Sequence, residues 1–136
     1  MLEDTLANTW ADVVVAILSV NLYPVERTFE HLDGFVREGL VDPTNLATWS
    51  VAETTHRLRL AGYDRGRLTP MMAERLVSLG RFVQEGGREH CDAVLLRGEA
   101  DEISALLSPV RGVGPAVLRT FLMLRGVSET GADSEK

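Results

Sequence analysis

The stretch Ser108-Pro109-Val110-Arg111-Gly112-Val113-Gly114-Pro115 decides how this chain is read. Two glycines flank one apolar residue, so a sharp turn is expected, with positive φ available at both. Pro115 suits the first turn of a helix, where its missing N–H removes no bond. The spacing predicts a helix over 99–107, a tight turn over 108–114, and a strongly apolar helix over 115–124 that Gly126 ends. Val110 and Val113 are expected to point inward and pin the turn. The free amides and positive dipole end of the second helix then face outward. Such an end suits a phosphate oxygen and reads no base sequence.

Upstream, the punctuation is helical throughout. Trp10 to Leu22 carries apolar residues at 10, 13, 14, 17, 18 and 20, the pattern of a buried helix. Pro24 opens a second helix expected to run to about Glu38, with Phe29, Leu32, Val36 and Leu40 as its stripe and Gly39 as its cap. Asp42-Pro43 starts a short helix around Leu46. Ser50 and Glu53 have capping-box spacing for a helix ending near Ala61-Gly62. Thr69-Pro70 starts another, with Met72, Leu76, Leu79 and Val83 on one face until Gly86-Gly87 breaks it. The segment 88–96 reads as a helix or an ordered loop. With no strand alternation and no repeat, the expected fold is all-α, a compact bundle of seven or eight short helices. Residues 1–126 read as one helical domain, and 127–136 as a polar tail expected to be disordered.

Composition narrows the function. The chain has 136 residues, 14 basic and 20 acidic, for a net charge of −6. That balance weighs against nucleic acid, whose affinity comes mainly from cations on phosphates. The distribution moves the other way: Arg57, Arg59, Arg65, Arg67 and Arg75 cluster against Asp64 and Glu74, while acids crowd the two ends. Cys91 is the only cysteine, which excludes an intrachain disulfide and any cluster held by several cysteines. Its neighbours carry no signature of a catalytic nucleophile. His31, His56 and His90 are too scattered to suggest a metal site, and no cofactor is implied. No apolar run is long enough to span a membrane, and the acidic start does not read as a signal peptide, so a cytoplasmic protein is expected.

Three stretches, in order, resemble the helix-hairpin-helix DNA glycosylases of the endonuclease III superfamily. Gly112-Val113-Gly114 is similar to their Leu-Pro-Gly-Val-Gly hairpin, with Val110-Arg111 in place of Leu-Pro. Ile17-Leu18-Ser19-Val20-Asn21 is similar to their Leu-Leu-Ser-x-Gln, whose amide fills the space left by a flipped base. Ala61-Gly62-Tyr63, with Arg65 and Arg67 beyond, is similar to a turn whose bulky residue wedges into the duplex. The likeness spans roughly residues 10–126. It implies duplex DNA as partner, phosphate contact at Val110, Arg111, Gly112, Val113 and Gly114, a base-gap role for Asn21 and a wedge at Tyr63. Arg65, Arg67, Arg111 and Arg119 become candidate phosphate contacts. Each has a plainer alternative: Gly112 and Gly114 as a plain helix–helix turn, Asn21 as a capping or surface amide, Tyr63 packed over a helix end, the arginines as solvated charges.

The departures from the family matter as much. Ala116 stands where bifunctional members carry the Schiff-base lysine, and the only lysine is the terminal Lys136. Lyase chemistry by that route is therefore excluded. The iron–sulfur loop is absent. Asp133 is the one carboxylate near the family's catalytic position, on the polar tail. The expectation is a truncated, catalytically degenerate DNA-binding relative of base-excision repair glycosylases, able to recognise damaged bases. The alternatives are a monofunctional glycosylase using Asp133, or a carboxylate such as Asp12, on a water, and a helical protein-interaction module. Apolar surface left by missing downstream helices would suit a partner chain or self-association.

Overall fold

A computed structural model describes residues 2–20 and 23–125, with side chains from Thr9 onward. Asn21, Asp133 and the 127–136 tail lie outside the described residues. Helix α1 (Leu2–Leu18) forms the axis of the core. From Trp10 to Leu18 every side chain but Asp12 is buried, because neighbours cover all sides of the helix. It stops before the expected Leu22. Ser19 Oγ donates to the Val15 carbonyl at 2.6 Å and shares a 2.7 Å contact with the Thr28 hydroxyl. That local competition for a carbonyl favours a helix end.

The expected helix over 24–38 is two helices, α2 (Val25–Phe29) and α3 (Leu32–Arg37). At the break the His31 amide reaches back to the Thr28 carbonyl at 3.0 Å, and His31 itself has φ −103° and ψ 9°. The redirected chain buries Thr28, Phe35 and Leu40 and leaves Val36 exposed, which breaks the expected stripe. Close packing explains the new direction. A Cβ on Gly34 would lie 2.5 Å from the Ala61 carbonyl oxygen, so α3 leans on the following turn at a distance only glycine permits.

Helix α4 (Pro43–Thr48) starts on Asp42, whose carboxylate accepts from the Thr44 amide at 3.0 Å. Helix α5 (Val51–Leu60) starts on Ser50, whose hydroxyl accepts from the Glu53 amide at 3.1 Å. The Glu53 carboxylate turns instead to Arg57, at 2.7 Å. A 3₁₀ turn (Gly66–Leu68) leads into α6 (Thr69–Gly86), the second long helix, which packs on α1, α4 and α5. Its Gly80 meets α4 so closely that a Cβ would fall 2.4 Å from the Ala47 amide nitrogen.

The ambiguous segment is helical as α7 (Arg88–Arg97), followed by α8 (Ala100–Leu107) and α9 (Pro115–Arg125). Arg88 ties α7 to its surroundings, bonding Asp92 at 2.9 Å, Asp42 at 3.0 Å and the Thr44 hydroxyl at 2.8 Å. The Trp10 indole donates to the same Asp92 carboxylate at 2.8 Å. The fold is all-helical, with nine α-helices among the described residues. The count passes eight because the 24–38 segment splits.

Candidate functional site

Helix α8 begins with a closed capping box: the Glu102 side chain accepts from the Glu99 amide at 2.9 Å, and the Glu99 side chain accepts in return from the Glu102 amide. After Leu107 the chain turns through successive backbone bonds. The Val110 amide donates to the Leu107 carbonyl at 2.9 Å, and the Val113 amide to the Val110 carbonyl at 3.0 Å. Val110 and Val113 are buried, as the inward reading requires, while Arg111 is exposed. Gly112 takes φ +87°, a conformation that a side chain resists. Gly114 does not. The expectation of positive φ at both glycines is corrected to Gly112 alone.

Gly114 serves differently, because a Cβ there would meet nothing within 4 Å. The first ladder bond of α9 runs from the Leu118 amide to the Gly114 carbonyl at 3.0 Å. The amides of Gly114, Ala116 and Val117 therefore have no partner inside the helix, and Pro115 has none to offer. Pro115 and Ala116 are exposed. Donors at a positive dipole end, beside open space, suit an anion.

Tyr63 joins the turn after α5 to the end of α1. Its ring is fully buried, edge-on to Phe35 and Tyr23, and its hydroxyl donates to the Leu18 carbonyl at 2.7 Å. The expected wedge at Tyr63 is thus corrected: the ring belongs to the core and its polar tip caps a helix end. Burial pushes the phenol above its ordinary pKa, against a hydrogen bond and positive charge from Arg65 that lower it. Arg65 donates to the Val20 carbonyl at 2.8 Å, and its guanidinium lies 4.4 Å from the Tyr23 ring centre. The Gly66 amide, donating to Asp64 at 3.0 Å, holds that carboxyl below its usual range and fixes the following bend.

The three stretches of the resemblance are linked through Tyr63 and α6. Arg75, counted in the arginine cluster but not among the candidate phosphate contacts, lays its stem across Gly112: a Cβ there would fall 2.5 Å from Arg75 Cδ. The charge of Arg75 also acts on the Tyr63 hydroxyl, which reaches Leu18. The hairpin turn, the turn after α5 and the end of α1 are thereby brought to one region. No periodicity within α6 signals that Arg75 meets a turn so distant in the chain. Tyr23, between Tyr63 and Arg65, was equally hidden.

Arg67 is exposed on the 3₁₀ turn, and Arg119 is exposed on α9. Arg119 borders an open groove of about 290 Å³ between α8 and α9, with Asp101, Ser104 and Leu118 among its lining. Asp12 lies at the far end of α9. It is half-buried, and burial raises its pKa against the charge of Arg125. The 11 residues of α9 span roughly 16 Å, so the Arg125 end is well away from the turn.

Cys91 is buried, and burial pushes its thiol up, away from the thiolate. Among the described residues no three His, Cys, Asp or Glu side chains group closely enough to hold a metal, and no helix is long and apolar enough to cross a membrane. Family models, curated proteins and solved structures offer no match to this chain.

Proposed function

We propose that this chain binds duplex DNA in the manner of a helix-hairpin-helix protein related to base-excision repair glycosylases, and does not cleave it by a lyase route. The 110–114 turn and the head of α9 grip a backbone phosphate through amides, and Arg111, Arg67 and Arg119 add charge. What carries this reading is the turn itself: Val110 and Val113 are buried, Gly112 is left-handed, and a Cβ on Gly114, at the head of α9, would meet nothing within 4 Å. Juxtaposition of that turn with the end of α1 and the turn after α5 supports it further. Recognition of damaged bases then depends on Asn21 and the phosphate grip, since Tyr63 is committed to the core.

The test is a fluorescence-anisotropy titration of intact and lesion-bearing duplexes at two salt concentrations. Binding is expected to weaken steeply with salt. Gly114→Asp is expected to abolish it without unfolding the protein. An aspartate at that helix head accepts amide hydrogens and suits the dipole, so the melting midpoint holds or rises slightly. Salt-insensitive or absent binding overturns the proposal and favours a protein-interaction module. Release of a free base from a lesion-bearing duplex turns the chain into a glycosylase.

A further inference from the structure

We infer that Arg75 of α6 contacts a backbone phosphate of the duplex that the 108–114 turn engages, while its stem holds that turn in place; the inference rests on the DNA-binding proposal above. The geometry at Gly112 comes first. A Cβ there would lie 2.5 Å from Arg75 Cδ and 2.8 Å from both Cγ and Nε. Glycine at 112 therefore meets two demands at once, a left-handed backbone and room for the arginine stem. The guanidinium is accordingly fixed relative to the turn that aims the α9 amides.

Charge supplies the second argument. The chain is acidic, and Arg37, Arg57, Arg59 and Arg88 each pair with a carboxylate at 2.7–3.6 Å. Arg75 adjoins Glu74 in sequence, yet among the described residues its guanidinium has no carboxylate partner. Its one hydrogen-bond contact there is to the Met71 sulfur at 3.9 Å. A thioether is a weak acceptor, so the fork of donors gives up little when it turns to an anion. The Tyr63 hydroxyl nearby does not neutralise it, because that group donates to the Leu18 carbonyl. A fork with no carboxylate partner, packed on Gly112 two residues before the head of α9, gives two donor types to one stretch of phosphates.

The experiment measures duplex affinity across a salt series for the unaltered protein, Arg75→Gln, Arg75→Lys and Arg81→Gln, with melting curves for each. Arg81 is exposed on the same helix, so its loss changes the net charge identically. Removing one phosphate contact should make the log–log salt slope shallower by about 0.9 and weaken binding about eightfold near 0.1 M salt. Arg75→Gln should show both effects, Arg75→Lys should keep most of the slope, and Arg81→Gln should match the unaltered protein. An unchanged slope in Arg75→Gln, or an equal loss in Arg81→Gln, overturns the role of Arg75 alone. No binding by the unaltered protein overturns the DNA proposal and this inference together. If Arg75→Gln fails to melt cooperatively, Arg75→Met, which keeps an unbranched apolar stem, decides by the same slope.

Discussion

Two turns in this molecule are built around the same device and present opposite things. After α5 the chain bends at Gly62, with φ +99°, and the His31 ring lies over that glycine. After α8 it bends at Gly112, with φ +87°, and the Arg75 stem lies over it. In the first turn the next residue is Tyr63, whose ring drops into the core. In the second the nearby apolar residues are Val110 and Val113, which drop in, while Arg111 between them stays exposed. A left-handed glycine thus fixes where a chain turns, and the apolar neighbour fixes which chemistry is left outside. An aromatic there is consumed by burial, whereas small aliphatics anchor the turn and leave the arginine between them outside.

The largest expected effect breaks the first turn. Tyr63→Ala removes a fully buried ring and should cost roughly 3–5 kcal/mol, the range for large-to-small aromatic changes in cores. Tyr63→Phe keeps the ring but leaves the Leu18 carbonyl without its donor, for roughly 1–3 kcal/mol. Urea denaturation measures both. A surface wedge would show the reverse pattern, with stability kept and duplex affinity lost, so a Tyr63→Ala cost below about 1 kcal/mol removes the distinction between the turns.

The next effect is smaller and sharpens the comparison. Gly62→Ala and Gly112→Ala each force an L-residue into left-handed backbone, at roughly 1–2 kcal/mol. Each new methyl also displaces a side chain, His31 in one and Arg75 in the other. Their stability costs should therefore be alike. Their effect on DNA should not: Gly112→Ala shifts the turn and Arg75 and is expected to weaken binding severalfold, and Gly62→Ala is expected to leave it unchanged. Equal losses of affinity would mean that the second turn holds no privileged contact.

The sequence marks both bends, because glycine and proline leave a signal at the position where they act. It also marks the α8 and α9 helices and the burial of Val110 and Val113, which follow from local spacing. It does not mark the side on which Tyr63 falls, since an aromatic after a glycine satisfies an exposed wedge and a buried anchor equally well. What decides is the open carbonyl of Leu18, left where α1 stops short of the expected boundary. Arg75 is hidden for a similar reason. Its meaning comes from Gly112, distant in the chain, and the spacing of α6 records only that Met72, Leu76 and Leu79 face the core. The split at His31 is likewise tertiary, imposed by the approach of Gly34 to Ala61.

The smallest expected effect tests the environment of the first turn by pH. Burial raises the Tyr63 phenol above its ordinary value of 10.0, more than the Arg65 hydrogen bond and charge lower it. In the window above that value, the folded protein holds a proton that the unfolded chain has released. Stability from this group is therefore fully present below pH 10 and lost as pH rises through the higher folded value. Urea midpoints followed upward from about pH 9 should fall more steeply in the unaltered protein than in Tyr63→Phe. Phenolate absorbance gives an independent check, because the chain has two tyrosines and only the Tyr63→Phe variant should lose the delayed step. If the two pH curves run parallel, the phenol ionises as freely folded as unfolded. The ring would then be in contact with water, and the contrast between the two turns would fail at its first member.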